Sequence, residues 1–336
     1  MTTLPVSPTP ARPRALTFGN VWLSLVVLAV LALYPLVFGK AMNFGVSTLI
    51  FAGLAMSWNV LGGWAGQTSL GHAALLGLGA YTMTLLAMPE RAPAFLGGPL
   101  APWWGTLIGM VLAAALAAVW GGLTFRLRGS YFTLSTIAVA LVIRLVAINS
   151  DWTGGSEGLF VPELPKFFGL DLFDRRVEYG LAFAFVALTL LVTHLIRRSR
   201  LGYALQAVRE DEDGARALGI DPTRMKVIAF MISAALTALG GSLYAIYLQA
   251  FEPHTLLELP ISVQIALMAI IGGRRSIQGP IIGAVLLASL GEIFRNVFSS
   301  ANLLIYGVLI LAVTLFAPSG IMGLFQRGGS KLGTAR

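Results

Sequence analysis

Residues 18–38 read FGNVWLSLVVLAVLALYPLVF, and this stretch decides the kind of protein at hand. It carries no charge over about 20 positions, the length an α-helix needs to cross a hydrocarbon core roughly 30 Å thick. It is too long for the core of a signal peptide, and no small-x-small cleavage site follows it. The reading is a retained first spanning helix. The Pro-, Thr- and Arg-rich residues 1–17 before it are expected to form a disordered cytoplasmic tail.

Working outward, the same pattern recurs. Of 336 residues, 57% are hydrophobic and 11% charged, whereas a soluble protein averages about 25% charged. Such a chain cannot cover a globular surface with polar groups, so lipid must solvate much of it. Nine further apolar segments are expected to span, near 43–61, 70–88, 103–125, 131–148, 179–196, 226–248, 259–272, 280–298 and 302–317. The 259–272 segment is short and ends in Gly272-Gly273, which suits either a tilted span or a re-entrant one. The expected fold is all-α: a polytopic membrane bundle of about 10 helices in one domain, 18–320, followed by a cytoplasmic tail at 321–336.

Net charge is +8, and its placement is informative. Ten crossings put both termini on one side. That side collects 16 Lys and Arg, among them Arg126, Arg197, Arg209, Arg274 and Arg275, against 6 on the other, with Arg144 inside a span. The positive-inside rule therefore puts both termini in the cytoplasm. No Lys/Arg run of nucleic-acid type occurs. Two connections are large: an outer one, 149–178, rich in Asp and Glu, and an inner one, 197–225.

Several chemistries are excluded. There is no cysteine, hence no disulfide framework, Fe–S cluster or thiolate zinc site. His72, His194 and His254 are scattered and fit no metal-ligand spacing. No G-x-x-x-x-G-K-[ST] occurs to cradle phosphates; if ATP drives the protein, another chain binds it. No cofactor is called for. Gly154-Gly-Ser-Glu-Gly158 fits GxSxG on paper, but a nucleophile elbow needs a strand before it and a helix after it. A glycine-rich turn in the outer connection is the better reading.

Other polar residues have two readings each. Arg144, about one turn from the outer end of its span, is either a functional intramembrane charge or a snorkelling residue paired with Asp151. Asn59, Gln67 and His72 fall near one inner end and either touch a solute or satisfy one another in the packing. Glu292 and Arg295 are spaced i, i+3 and are expected to neutralise each other. Gly71, Gly77 and Gly79 suit close helix packing.

The inner connection carries the sharpest local signals. Residues 200–220, RLGYALQAVREDEDGARALGI, place Leu201, Leu205, Val208, Glu212 and Ala215 at helical spacing. One amphipathic helix over 201–218 is expected, too polar to span. Gly219 follows as a left-handed C′ residue, and Asp221-Pro222 reads as an N-cap with proline at N1. The acidic run Glu210-Asp-Glu-Asp213 is poorly made for anionic lipid. A glycine-ended knob suits a groove on a protein partner.

Ala207-Val-Arg-Glu-Asp-Glu-Asp-Gly-Ala-Arg-Ala-Leu-Gly219-Ile resembles the "EAA" loop of bacterial ABC importer permeases. The resemblance is to the branched-chain amino acid (leucine/isoleucine/valine) permeases, M-type. Asp213-Gly214-Ala215, then Gly219, stand at the Glu-Ala-Ala and Gly positions, with Asp and Gly as departures. Three more stretches are similar to that family. They are Gly66-Gln-Thr-Ser-Leu-Gly-His-Ala-Ala74 with Gly79-Ala-Tyr81, then Tyr131-Phe-Thr-Leu-Ser-Thr-Ile137 with Thr153-Gly-Gly-Ser-Glu-Gly158, and Ile271-Gly-Gly-Arg-Arg-Ser-Ile-Gln-Gly-Pro280. The Arg274-Arg275 pair departs from the small residues expected there.

The resemblance implies a bacterial inner-membrane permease subunit without ATPase activity of its own. Its partners would be a second, homologous permease, two cytoplasmic ABC ATPase subunits and an extracytoplasmic solute-binding protein. Arg209, Glu210, Glu212, Asp213, Gly214, Ala215 and Gly219 would then couple ATP hydrolysis to transport. Branched-chain amino acids are the first solutes it suggests, with urea, amides or other amino acids within the same family. A secondary transporter or channel is the alternative from another class. Such proteins place charges or broken helices at mid-membrane, where this sequence is nearly charge-free.

Overall fold

The apolar runs fold as helices in the computed structural model, which describes residues 19–37, 41–93, 98–125, 131–164 and 171–297. In chain order the helices are α1 (Gly19–Val37), α2 (Met42–Asn59), α3 (His72–Ala87), α4 (Pro102–Thr124), α5 (Tyr131–Ile148) and α6 (Arg175–Arg198). Two short helices follow, α7 (Arg200–Glu210) and α8 (Glu212–Ala217). Then come α9 (Pro222–Leu248), α10 (Pro253–Leu256), α11 (Leu259–Gly272) and α12 (Gly279–Val297). Strands β1 (Leu159–Phe160) and β2 (Ala250–Phe251) pair antiparallel.

Six helical stretches among the described residues are long and apolar enough to cross a membrane: Met42–Trp64, Pro102–Thr124, Tyr131–Ile148, Arg175–Arg198, Pro222–Leu248 and Pro253–Gly272. Shorter apolar helices occupy Trp22–Pro35, His72–Ala87 and Gly279–Ile293. The expected 302–317 span, the two tails and the Arg295 side chain meant to pair with Glu292 lie outside the described residues.

Local chemistry explains the helix starts. Asp174 caps α6 by accepting from the Arg176 amide at 2.9 Å. Arg197 and Arg198 in its last turn complement the negative end of the helix dipole. α4 opens on Pro102 after an extended Ala101, where a missing N–H costs nothing.

The core lies around α2, which packs against α6, α9, α11 and α12, while α3 sits between α4 and α9. These contacts depend on small residues. A side chain on Gly79 would strike the Ala238 carbonyl, and one on Gly241 would strike the Leu76 carbonyl, so α3 and α9 meet backbone to backbone. Hydroxyls stitch the same seam, with Ser242 Oγ donating to the Gly79 carbonyl at 3.1 Å. Van der Waals packing of small residues and such hydrogen bonds are what hold helices together where lipid removes the hydrophobic drive.

Two expectations need correcting. The 201–218 helix is interrupted: Asp211 is extended (φ −153°, ψ 109°) and its carboxylate accepts from the Asp213 and Gly214 amides, capping α8. An aspartate offers its own backbone this alternative to helix, and here it wins. Arg144 does not pair with Asp151 but reaches Glu258 and His254, each at 3.1 Å. The Asp151 and Trp152 carbonyls accept from Arg91 instead.

Candidate functional site

The site is built from the junction α7–α8–α9. Gly219 takes the left-handed conformation (φ 83°). The Ile220 amide donates to the Ala215 carbonyl and the Gly219 amide to that of Arg216, each at 3.0 Å. That pair of bonds is the Schellman ending of a helix. Asp221 then caps α9 by accepting from the Arg224 amide at 3.2 Å, with Pro222 at the first helical position. Glycine stop, aspartate cap and proline start thus act as read from the sequence.

Two bonds fasten this knob to the bundle. Lys226, its side chain 5% exposed, reaches Glu212 at 2.6 Å and ties α8 to the base of α9. Arg209 donates from Nη1 to the Gly63 carbonyl at 2.9 Å, tying α7 to the end of α2. Its Nη2 holds Glu210 at 2.7 Å. That hydrogen bond, with the charges of Arg209 and Arg275, keeps the Glu210 carboxyl below the usual carboxylate range. Arg216 pairs with Asp213 at 3.3 Å on the exposed face, where such pairs contribute little.

Gly63 belongs to a break in the helical path. After α2 the chain makes one π-turn, Val60–Trp64, and then runs without helix to His72. Irregular backbone within a membrane bundle survives only if protein satisfies it; side chains from three helices do so, and a fourth helix holds His72. From α2, Trp58 Nε1 donates to the Ser69 carbonyl at 2.7 Å. From α5, Thr133 Oγ1 donates to the Thr68 carbonyl at 2.8 Å, and Thr136 Oγ1 accepts from the Leu70 amide at 3.0 Å. From α11, Ser262 Oγ accepts from the Ala73 amide at 2.8 Å. From α9, Ser233 approaches His72 Nε2 at 2.9 Å.

The sequence-selected residues disperse around this break. His72 is fully buried. Because the Ser233 hydroxyl donates to the Ser57 carbonyl at 2.7 Å, His72 Nε2 must donate to Ser233, leaving Nδ1 to accept from Ser69 at 3.1 Å. Every ring nitrogen is used. Asn59, 1% exposed, turns elsewhere and donates to the Ser276 carbonyl at 3.5 Å. Gln67 is half-buried, its amide donating to the Leu61 carbonyl at 3.2 Å. Arg144 is remote, beside α10. Lys226, Ser233, Thr133 and Thr136 were not singled out from the sequence. The last two lie inside a quoted motif, but nothing local says which backbone they satisfy.

Three of the quoted segments thus converge beside α7. Residues 66–74 are held by 131–137, and the 271–280 turn closes over the π-turn just before them: a side chain on Gly63 would meet the Arg274 carbonyl at 2.5 Å. Across the same gap Arg275 faces Glu210 at 3.8 Å. Thr153–Gly158, quoted together with 131–137, lies at the opposite end of the bundle. There Gly154, Gly155 and Gly158 all have positive φ, and β1 pairs with β2.

The family described as branched-chain amino acid transport system / permease component matches residues 40–316. The chain belongs to this permease family. The permease is 30% identical over 327 residues to the high-affinity branched-chain amino acid transport system permease protein LivM of Escherichia coli (strain K12), covering 89% of this chain and 74% of that one. It is 24% identical over 287 residues to the permease protein LivH of the same system and organism, covering 81% and 91%. Against the probable LivM of Methanocaldococcus jannaschii it is 23% identical over 235 residues, covering 64% and 68%. No solved structure matches. The permease is therefore a multi-pass membrane transport subunit and not an enzyme.

Proposed function

We propose that the permease is the membrane subunit of an ATP-driven importer of branched-chain amino acids, with α7–α8 as the element that engages a cytoplasmic ATPase. The observation that carries this is the Arg209–Gly63 bond beside the Lys226–Glu212 pair. A rigid, glycine-ended knob is fastened at once to the α2–α3 break and to α9. Closure of ATPase subunits on ATP would displace the knob. Lys226 would pass the displacement to α9 and Arg209 to the break, switching the bundle as a rigid body between two access states. With no phosphate-cradling loop in the sequence, hydrolysis falls to the partner subunits.

The solute is read from the names of the LivM and LivH relatives. Similarity to both supports pairing with a second, homologous permease. The Lys/Arg asymmetry supports ten crossings of the domain 18–320 with both termini, the tails and α7–α8 in the cytoplasm. The opposite end, with its acidic outer connection and a turn braced by Arg91, offers a fixed platform for a solute-binding protein.

The test is Gly219→Val in the reconstituted complex. A β-branched residue tolerates positive φ worst, so the knob should be misplaced. Solute-stimulated ATP hydrolysis and uptake should both collapse, with membrane insertion intact. Gly219→Asn should retain most of both, since asparagine visits the left-handed region readily. Wild-type uptake by Gly219→Val would remove α7–α8 as the coupling element. Because the chain has no cysteine, Thr223→Cys and Ser156→Cys also report orientation: in intact cells an impermeant thiol reagent should label only the second.

A further inference from the structure

At the end of the bundle that carries the glycine turn, four helices leave a cavity of about 460 Å³. Small-molecule sites span roughly 300–1,000 Å³. Its walls are the first turns of α2, the last turns of α9, the middle of α11 and the far part of α12. All of these lie at the end opposite α7–α8, so the cavity is separate from the coupling site.

Its lining is unusual for an apolar bundle. Asn43, Ser47, Gln264 and Glu292 give it a polar side, and Phe51, Met268 and Ala288 an apolar one. Polar groups within spans are costly and are retained where they bind or conduct something. Thr48 is the sharpest of them. Many buried hydroxyls of this bundle donate to a carbonyl, Ser57 to that of Gly53 and Thr237 to that of Ser233, each at 2.8 Å, whereas those of Thr48 and Thr84 have no partner among the described residues. Thr48, 6% exposed, has no hydrogen-bond partner for Oγ1 among the described residues, and it lines the cavity. A buried hydroxyl without a partner costs free energy unless a ligand supplies one.

One charged group lines the cavity, and another, ion-paired with Glu178, stands behind its wall. The Arg175 guanidinium lies 5.1 Å from the centre of the Tyr247 ring, which forms part of the wall, and donates to the Tyr247 carbonyl at 3.3 Å. Glu292 brings negative charge from α12. Amide and hydroxyl groups, an acidic group and a short apolar wall together complement an α-amino acid zwitterion with an aliphatic side chain. The ammonium suits Glu292, the carboxylate suits the hydroxyl of Thr48 and the amides of Asn43 and Gln264, and the side chain suits Phe51, Met268 and Ala288.

We infer that this cavity is a solute-binding station within the subunit, which holds an aliphatic amino acid zwitterion on its way across. The inference rests on the importer reading above. The permease is reconstituted with its companion permease, ATPase and binding protein, and Thr48→Cys is titrated with a small methanethiosulfonate reagent. Leucine at about ten times its dissociation constant should slow the reaction about tenfold by mass action. The same leucine should leave Ser156→Cys, at the same end but outside the cavity, unaffected. Gln264→Cys replaces Thr48→Cys if that variant does not assemble. Thr48→Val and Gln264→Leu should each raise the KM for leucine uptake about 3- to 10-fold, the worth of one hydrogen bond. Labelling that leucine does not slow, or a KM unmoved in both variants, overturns the station and leaves the importer reading standing. A wild-type complex that takes up no amino acid overturns that reading, and the station with it.

Discussion

The spans Met42–Trp64 and Tyr131–Ile148 differ in the direction opposite to that of a soluble protein. The first has mean hydropathy 1.5 and 89% of its apolar window buried; the second has mean hydropathy 2.1 and only 22% buried. In water the more apolar helix would go inside. Here lipid tails are as apolar as leucine, so nothing drives leucine inward. What goes inside is whatever packs closely or needs a hydrogen-bond partner. Ser57, Asn59, His72, Thr84, Ser233 and Thr237 are all buried, whereas Val111, Val119, Leu123 and Val146 stand more than half exposed.

The contrast can be broken at either region. The largest effect is expected from Gly241→Leu, whose side chain would be driven into the Leu76 carbonyl. Overpacking against backbone should cost about 3 kcal/mol or more, seen as loss of monodisperse protein after solubilisation. Recovery of wild-type yield and melting temperature would mean that α3 and α9 do not meet as described. Next comes His72→Leu, which removes the partner of Ser233 and Ser69. It should cost about 1–3 kcal/mol, read as a lower melting temperature in detergent, and His72→Gln should recover part of that. The smallest effect belongs to Val111→Ala on the exposed face of α4. Surface changes of this kind stay within about 0.5 kcal/mol. A cost there as large as that of His72→Leu would show that another protein, rather than lipid, covers the face.

What the sequence revealed and what it hid follow the range of the forces involved. Helices set by apolar length were legible, as were the ends set by neighbours a few residues apart. The Gly219 stop and the Asp221-Pro222 start are of this kind. The break before His72 falls in the gap between the expected 43–61 and 70–88 spans, but what satisfies it was not legible. Its backbone is satisfied by Trp58, Thr133, Thr136 and Ser262, some of them far away in sequence. The partner of Arg144 was missed for the same reason. Asp151 is seven residues off, while Glu258, which it meets, is 114 away. Asp211 hid differently, since its spacing suits a helix and only its ability to cap the next turn breaks one. The residues of the α7–α8 knob stand out through a motif, but Lys226, which ties α8 to α9, belongs to none.

The backbone contact between α3 and its neighbours has a mechanical consequence. Gly79 and Gly241 seat α3 against α9, and an added carbon on Gly105 would lie 2.9 Å from the Met83 Cα, seating α4 against α3. Ordinary helix pairs slide because side chains between them can change rotamer and act as bearings. This trio has none at those crossings, so it behaves as one cast piece with few internal degrees of freedom. Whatever opens and shuts in this permease must therefore hinge at the borders of the piece. Those borders include α2 and α11, which also wall the cavity, and the broken chain before His72, where a bend needs no intact helix to give way.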